Sequence, residues 1–153
     1  MNLYEQTKKY LVDDNFRFQE KESKEEKFIF SKVDGENVRM NVFIHYIKDK
    51  NIILCFSELP FKISTDKRKI ILQFLSNLNQ ELLITNFLLS DQNGVVKLKS
   101  VLYQDNELTQ ETFRKFLFTN IATLDLYAPD IFKIIYEFNN QIKEPEKTNF
   151  SLN

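Results

Sequence analysis

The stretch STDKRKIILQFLSNLNQELLITNFLLSDQNGVVKLKSVLY, residues 64–103, decides the fold. Ser64 or Thr65 can cap a helix start with a side-chain oxygen, and Asp66 suits the positive end of the helix dipole. Ile70, Ile71, Phe74, Leu75 and Leu78 recur at the spacing of one buried stripe, which predicts a helix over 64–80. Residues 82–89 are almost continuously apolar, as in a strand buried on both faces or nearly so. Asp91-Gln92-Asn93-Gly94 is a turn with a mechanism, since Asn and Gly tolerate positive φ. Over 95–103 two faces separate, with Val96, Leu98 and Leu102 against Lys97 and Lys99. A helix therefore runs into a hairpin that needs further strands beside it.

Those strands lie upstream. Residues 28–33 are rich in Phe, Ile and Val and lead into Asp34-Gly35, a short-hairpin signal. Residues 37–47 follow with a period of two: Val38, Met40, Val42, Ile44 and Tyr46 on one face, Asn41, Phe43, His45 and Ile47 on the other. A polar turn is expected over 48–51, then a third strand over 52–57, stopped at Leu59-Pro60-Phe61 because proline cannot continue a central strand. Before this meander, residues 2–12 fit a short helix capped by Asn2. Residues 16–19 alternate as an extended piece, and the run EKESKEEK over 20–27 reads as a solvated loop. After the hairpin, Thr109 caps a long helix carrying Phe113, Phe116, Leu117, Ile121 and Leu124, and Pro129 either kinks it or starts another. The sum is an α+β fold of two layers: a five-stranded, mainly antiparallel sheet with helices packed on it, in the order α-βββ-α-ββ-α. One domain is expected over 1–142, with a flexible tail over 143–153.

Composition narrows the function. Hydrophobic content of 42% with 15 Phe supplies a core, and two Gly exclude phosphate-cradling glycine loops of the Gly-x-Gly-x-x-Gly kind. A net charge of −1 gives no bulk attraction to nucleic acid, so none is expected as a partner, and solvated faces explain Lys67, Arg68 and Lys69. Residues 1–14 show no signal peptide and no apolar run is long enough to span a membrane, so a cytoplasmic protein without a membrane partner is expected. Cys55 and His45 are the sole cysteine and histidine. They fall on adjacent strands without the local context of a nucleophile, and they are too few for a structural zinc site. No catalytic residue, metal or cofactor is expected, and the chain is read as no enzyme.

What remains is the face of the sheet away from the helices. It is expected to carry Phe43, Ile47, Ile53, Val101 and Tyr103, with Lys97 and Lys99 as its polar marks. Exposed apolar area on a sheet marks an interface, so Phe43, Ile47, Val101, Tyr103, Lys97 and Lys99 are the partner-binding candidates.

The order helix, meander, helix, hairpin, helix resembles the YbjN-like family and the related Tir-chaperone fold of type III secretion chaperones. The resemblance rests on Leu75-Ser76-Asn77-Leu78-Asn79, on residues 82–90 turning at Asn93-Gly94 into Val95-Val96-Lys97-Leu98, on Thr109-Gln110-Glu111 and on Ala128-Pro129-Asp130-Ile131. It spans about residues 3–138. It implies an α/β sandwich that dimerises and binds other proteins, as chaperone of a client segment or as regulator of sensory transduction. Two other classes stay open: a small-molecule sensor or small enzyme using Tyr46, Tyr103 or His45 in a pocket between sheet and helices, and an antitoxin-like immunity protein.

Overall fold

The computed structural model describes residues 2–24, 26–47, 49–104 and 106–152, with side chains as far as Glu137. The elements are α1 (Leu3–Asp13), β1 (Gln19–Glu22), β2 (Lys27–Asp34), β3 (Arg39–Ile47), β4 (Ile52–Lys62), a 3₁₀ turn (Thr65–Lys67), α2 (Arg68–Glu81), β5 (Thr85–Leu89), β6 (Val95–Tyr103) and α3 (Gln110–Leu152). The strands form one antiparallel sheet in the order β1-β2-β3-β4-β6-β5. The α+β reading holds, but the sheet has six strands where five were expected.

The sixth strand is β1, built from the charged run read as a loop. Its four residues are all exposed and pair with β2 alone. An edge strand needs no apolar face, and charges there discourage pairing with other chains. Glu20 fixes it to α1 by accepting from the Tyr4 hydroxyl at 2.6 Å and pairing with Lys8 at 3.0 Å. These contacts are tertiary, which is why alternation suggested an extended piece over 16–19 but not a strand over Gln19–Glu22.

Two strand limits also differ. β4 runs through Pro60 to Lys62, with a register shift against β6 between Glu58 and Lys62. Its pairing with β3 ends at Glu58, so Pro60 lies at a bulge where no ladder bond is asked of it. β5 starts only at Thr85 and lies at the other sheet edge, which leaves Leu83 98% and Ile84 70% exposed. The apolar run was not a strand buried on both faces.

All three helices contribute to a core with the same sheet face. Ile29, Val42, Ile44, Cys55, Val96 and Leu98 meet Leu11 of α1, Ile71 and Leu75 of α2, and Phe113, Leu117 and Leu124 of α3. Asn2 caps α1, its Oδ1 accepting from the Glu5 amide at 2.8 Å. Ser64 makes no side-chain capping bond; a 3₁₀ turn opens α2 instead. The adjoining Arg68 donates from Nε to the Ile63 carbonyl (3.1 Å) and from Nη1 to the Asp91 carbonyl (3.0 Å), tying the start of α2 to the β5–β6 turn. In that turn Gly94 has φ +65°, and an added Cβ would lie 2.6 Å from the Ile63 carbonyl oxygen. Of the expected turn over 48–51, Asp49 and Asn51 take left-handed conformations, and Lys48 lies outside the described residues.

α3 passes through Pro129 without ending. Proline leaves the carbonyl four residues earlier, that of Asp125, without its helical donor. Asn37 Nδ2 donates to that carbonyl at 3.1 Å. The Asp125 carboxylate in turn accepts from the amides of Glu36 (3.0 Å), Asn37 (2.9 Å) and Val38 (3.1 Å) in the β2–β3 turn. A Cβ on Gly35 would stand 2.1 Å from Asp125 Oδ1, so glycine here serves close approach rather than a positive φ. One latch thus satisfies both the proline break and the turn. The backbone of residues 143–152 continues α3, and the side chains of that stretch lie outside those described.

Candidate functional site

The sheet face opposite the helices can be rebuilt from the register. One row across four strands is Phe30, Phe43, Phe56 and Lys99, running β2-β3-β4-β6. The next is Lys21, Phe28, His45, Leu54 and Val101, starting from β1. A third holds Ile47, Ile52 and Tyr103. On the other flank runs a polar row of Lys32, Asn41, Glu58 and Lys97. Strand alternation alone puts these side chains on the side away from the core.

The rings pack on one another. Phe30 and Phe43 have centroids 5.1 Å apart, Phe28 stacks on His45 at 5.2 Å, and His45 meets Phe56 edge-on at 5.7 Å. Phe28, Phe43, His45 and Phe56, with Glu58 and Lys97, line a depression of about 460 Å³. Burial among these rings holds the imidazole of His45 below its ordinary pKa, against the opposing pull of Glu26, whose carboxylate is 3.8 Å away. Burial likewise raises the Glu58 carboxyl, partly offset by Lys97 at 3.8 Å. Partly exposed apolar rings contiguous across the strands suit a surface that another molecule covers, and the Glu58–Lys97 pair borders them.

The six candidate residues all lie on this face by register. Val101 (53%) and Tyr103 (60%) are well exposed, Ile47 is exposed, and Phe43, Lys97 and Lys99 are partly covered. Ile53 does not belong with them: it pairs with Tyr46 and Leu102 on the helix side and is fully buried. The error came from parity. Register sets Ile52, not Ile53, beside Ile47. Reading the sequence missed Phe28, Phe30, Leu54 and Phe56, although the same period of two, carried across the sheet from Phe43, finds them.

His45 and Cys55 leave the sheet on opposite sides, His45 pairing with Leu54 and Cys55 with Ile44. They form no dyad. Cys55 is enclosed in the core, and burial pushes its thiol far up in pKa, the state of an inert apolar side chain. Tyr46 is separated from His45 and Tyr103 too: it faces α1, where its hydroxyl bonds that of Thr7. Of the groups offered for a pocket, Tyr46 lines a cavity of about 370 Å³ beside α1 and His45 the depression on the open face. Among the described residues no group of three or more His, Cys, Asp or Glu side chains could hold a metal ion. No helix among them is long and apolar enough to cross a membrane.

An α+β sandwich with one helical face and one open aromatic face is the class these features define. Residues 8–133 match the YbjN family, described as "Putative bacterial sensory transduction regulator", and the chain belongs to that family. Among solved structures it is similar to "YbjN, a putative transcription regulator from E. coli", at 17% identity and a TM-score of 0.61, over 92% of this chain and 93% of that one. It is also similar to a chain of the ExsC-ExsE complex, at 14% identity and a TM-score of 0.58, over 83% of this chain and 94% of that one. At these identities the likeness is one of fold. No protein with a curated description matches.

Proposed function

We propose that this protein is a non-catalytic protein-binding module of chaperone-like or regulatory role, acting in the cytoplasm as a homodimer that engages a further protein. The observation that carries the reading is the open sheet face, where two rows of aromatic and aliphatic side chains stand opposite the helical layer. Family membership supports a regulatory setting, and one structure of similar fold was solved as a complex of two proteins. Phe43, Ile47, Val101 and Tyr103 supply the apolar contact, and Lys97 and Lys99 its charged border.

Sedimentation at micromolar concentration and a pull-down with the full chain test this together. A dimer that retains a specific protein, with dimerisation or retention weakened by Phe43→Asp and the circular dichroism unchanged, is the expected result. A strictly monomeric chain that retains nothing overturns it. Thermal-shift screening with metabolites separates the sensor class, because a ligand that binds only the folded state raises Tm.

A further inference from the structure

The charges around the open face are not those of the chain as a whole. The protein carries a net charge of −1. Yet the residues that register assigns to this face include Lys21, Lys32, Arg39, Lys62, Lys97 and Lys99, against Asp34 and Glu58, and the Glu26 carboxylate reaches the same face beside His45. Arg39 pairs with Asp34 at 3.4 Å and Lys97 with Glu58 at 3.8 Å. Lys21, Lys32, Lys62 and Lys99 have no carboxylate within ion-pair distance among the described residues. Lys21 instead sits 4.8 Å above the Phe30 ring. Of the lysines without such a partner, Lys21 on β1 and Lys99 on β6 stand at the two ends of the aromatic rows, while Lys32 and Lys62 lie along the polar flank.

Those ends are four strand spacings apart, about 19 Å. An extended chain rises about 3.3 Å per residue, so about six residues bridge the gap. We infer that the open face takes an extended segment of a partner protein, apolar in the middle and acidic at both ends, laid across the strands from Lys21 to Lys99. This rests on the reading of the face as a protein-binding surface and adds the partner's chemistry. The middle of the segment covers Phe28, Phe30, Phe43 and Phe56, and its acidic ends meet the unpaired lysines. Like-charged segments are turned away at the same points.

A single-stranded nucleic acid is the competing polyanion, and three observations disfavour it. The ring planes of Phe30 and Phe28 are tilted against Phe43, by 45° and 47°, and the rings half-cover one another instead of offering free faces for bases. Glu58 stands in the row beside them, repelling phosphate. The whole chain is faintly acidic, so no long-range field gathers a polyanion.

The test uses the full chain and fluorescence anisotropy. The probes are an array of labelled peptides of about eight residues, with Leu, Ile, Val and Phe varied at the central positions. Each peptide is made with aspartate, asparagine or lysine ends, and an oligothymidylate serves as the nucleic-acid probe. The aspartate-ended peptides should bind roughly tenfold tighter than the asparagine-ended ones, two exposed charge contacts being at stake. That advantage should shrink as salt is raised. The double variant Lys21→Gln/Lys99→Gln should abolish it, and Lys21→Glu/Lys99→Glu should turn the preference over to the lysine-ended peptides, with the circular dichroism of both variants unchanged. Equal binding whatever the ends overturns the charge selection but leaves the protein-binding surface standing. Oligothymidylate binding without peptide binding overturns both, as does binding of no peptide in the array.

Discussion

The two faces of one sheet are built from different side chains, and the contrast separates the packed core from the face proposed for recognition. On the helical side register brings Ile44 beside Cys55 and Ser57 beside Leu98, small or aliphatic residues almost wholly removed from solvent. On the open side it brings Phe43 beside Phe30 and Phe56, rings that shield one another only in part. Aliphatic side chains interdigitate with helices at close-packed density, whereas rings tilted against one another leave part of their apolar area uncovered. The backbone ladder is shared, so each face can be perturbed almost without touching the other.

The largest effect expected follows from that separation. Leu98→Ala on the helical side should cost about 2–5 kcal/mol in urea unfolding, through lost transfer energy and the cavity left behind. A much smaller loss would show that the core beneath α3 collapses into the gap. Next, Asp125→Ala removes the acceptor of three turn amides at once. A loss of about 2–3 kcal/mol is expected, since bonds to a charged acceptor are among the stronger ones. Asn37→Ala should cost less, and less again in a Pro129→Ala background, where the helix regains its own donor to the Asp125 carbonyl; a double-mutant cycle reads that coupling.

On the open side, Phe43→Asp should change unfolding free energy by no more than about 1.5 kcal/mol, the scale of its ring contacts, while it weakens self-association or partner capture. Global unfolding of this variant would place Phe43 in the core and erase the contrast. The smallest effect is a pH dependence. Burial depresses the folded pKa of His45 below its ordinary 6.5, so the unfolded chain takes up the proton first. The stability this gives is complete above pH 6.5 and is lost as the pH falls toward the folded value. Chemical denaturation at pH 7.5 and 5.5 should show that slope, and His45→Gln should lessen it.

Much of this was readable from short-range pattern. The period of two over 37–47 assigned Met40, Val42 and Ile44 to the core and Phe43 to the other side, and the strand over 95–103 was read to the residue. Asn93-Gly94 announced its turn because only a residue free of Cβ fits φ +65° between Ile63 and Arg68. The failures all depended on what lies alongside. The charged β1 is a strand only because β2 offers it a ladder, and residues 82–84 are loop because the chain there has passed the end of the sheet. Pro60 and Pro129 were expected to break or bend their elements. A bulge accommodates the first, and an asparagine from a distant turn compensates the second.

By itself, then, the sequence determined which residues are apolar, how they repeat, and where the chain turns. Those properties are local, fixed by side-chain period and backbone sterics within a few residues. It also determined what the protein lacks the residues to build, from a glycine-rich phosphate loop to a histidine-and-cysteine metal site. Tertiary structure alone decided the strand order and the register across it. Register turned a handful of exposed candidates into continuous aromatic rows ending in lysines, because neighbours across a sheet are set by pairing between segments far apart in the chain. It also sent His45 and Cys55 to opposite faces.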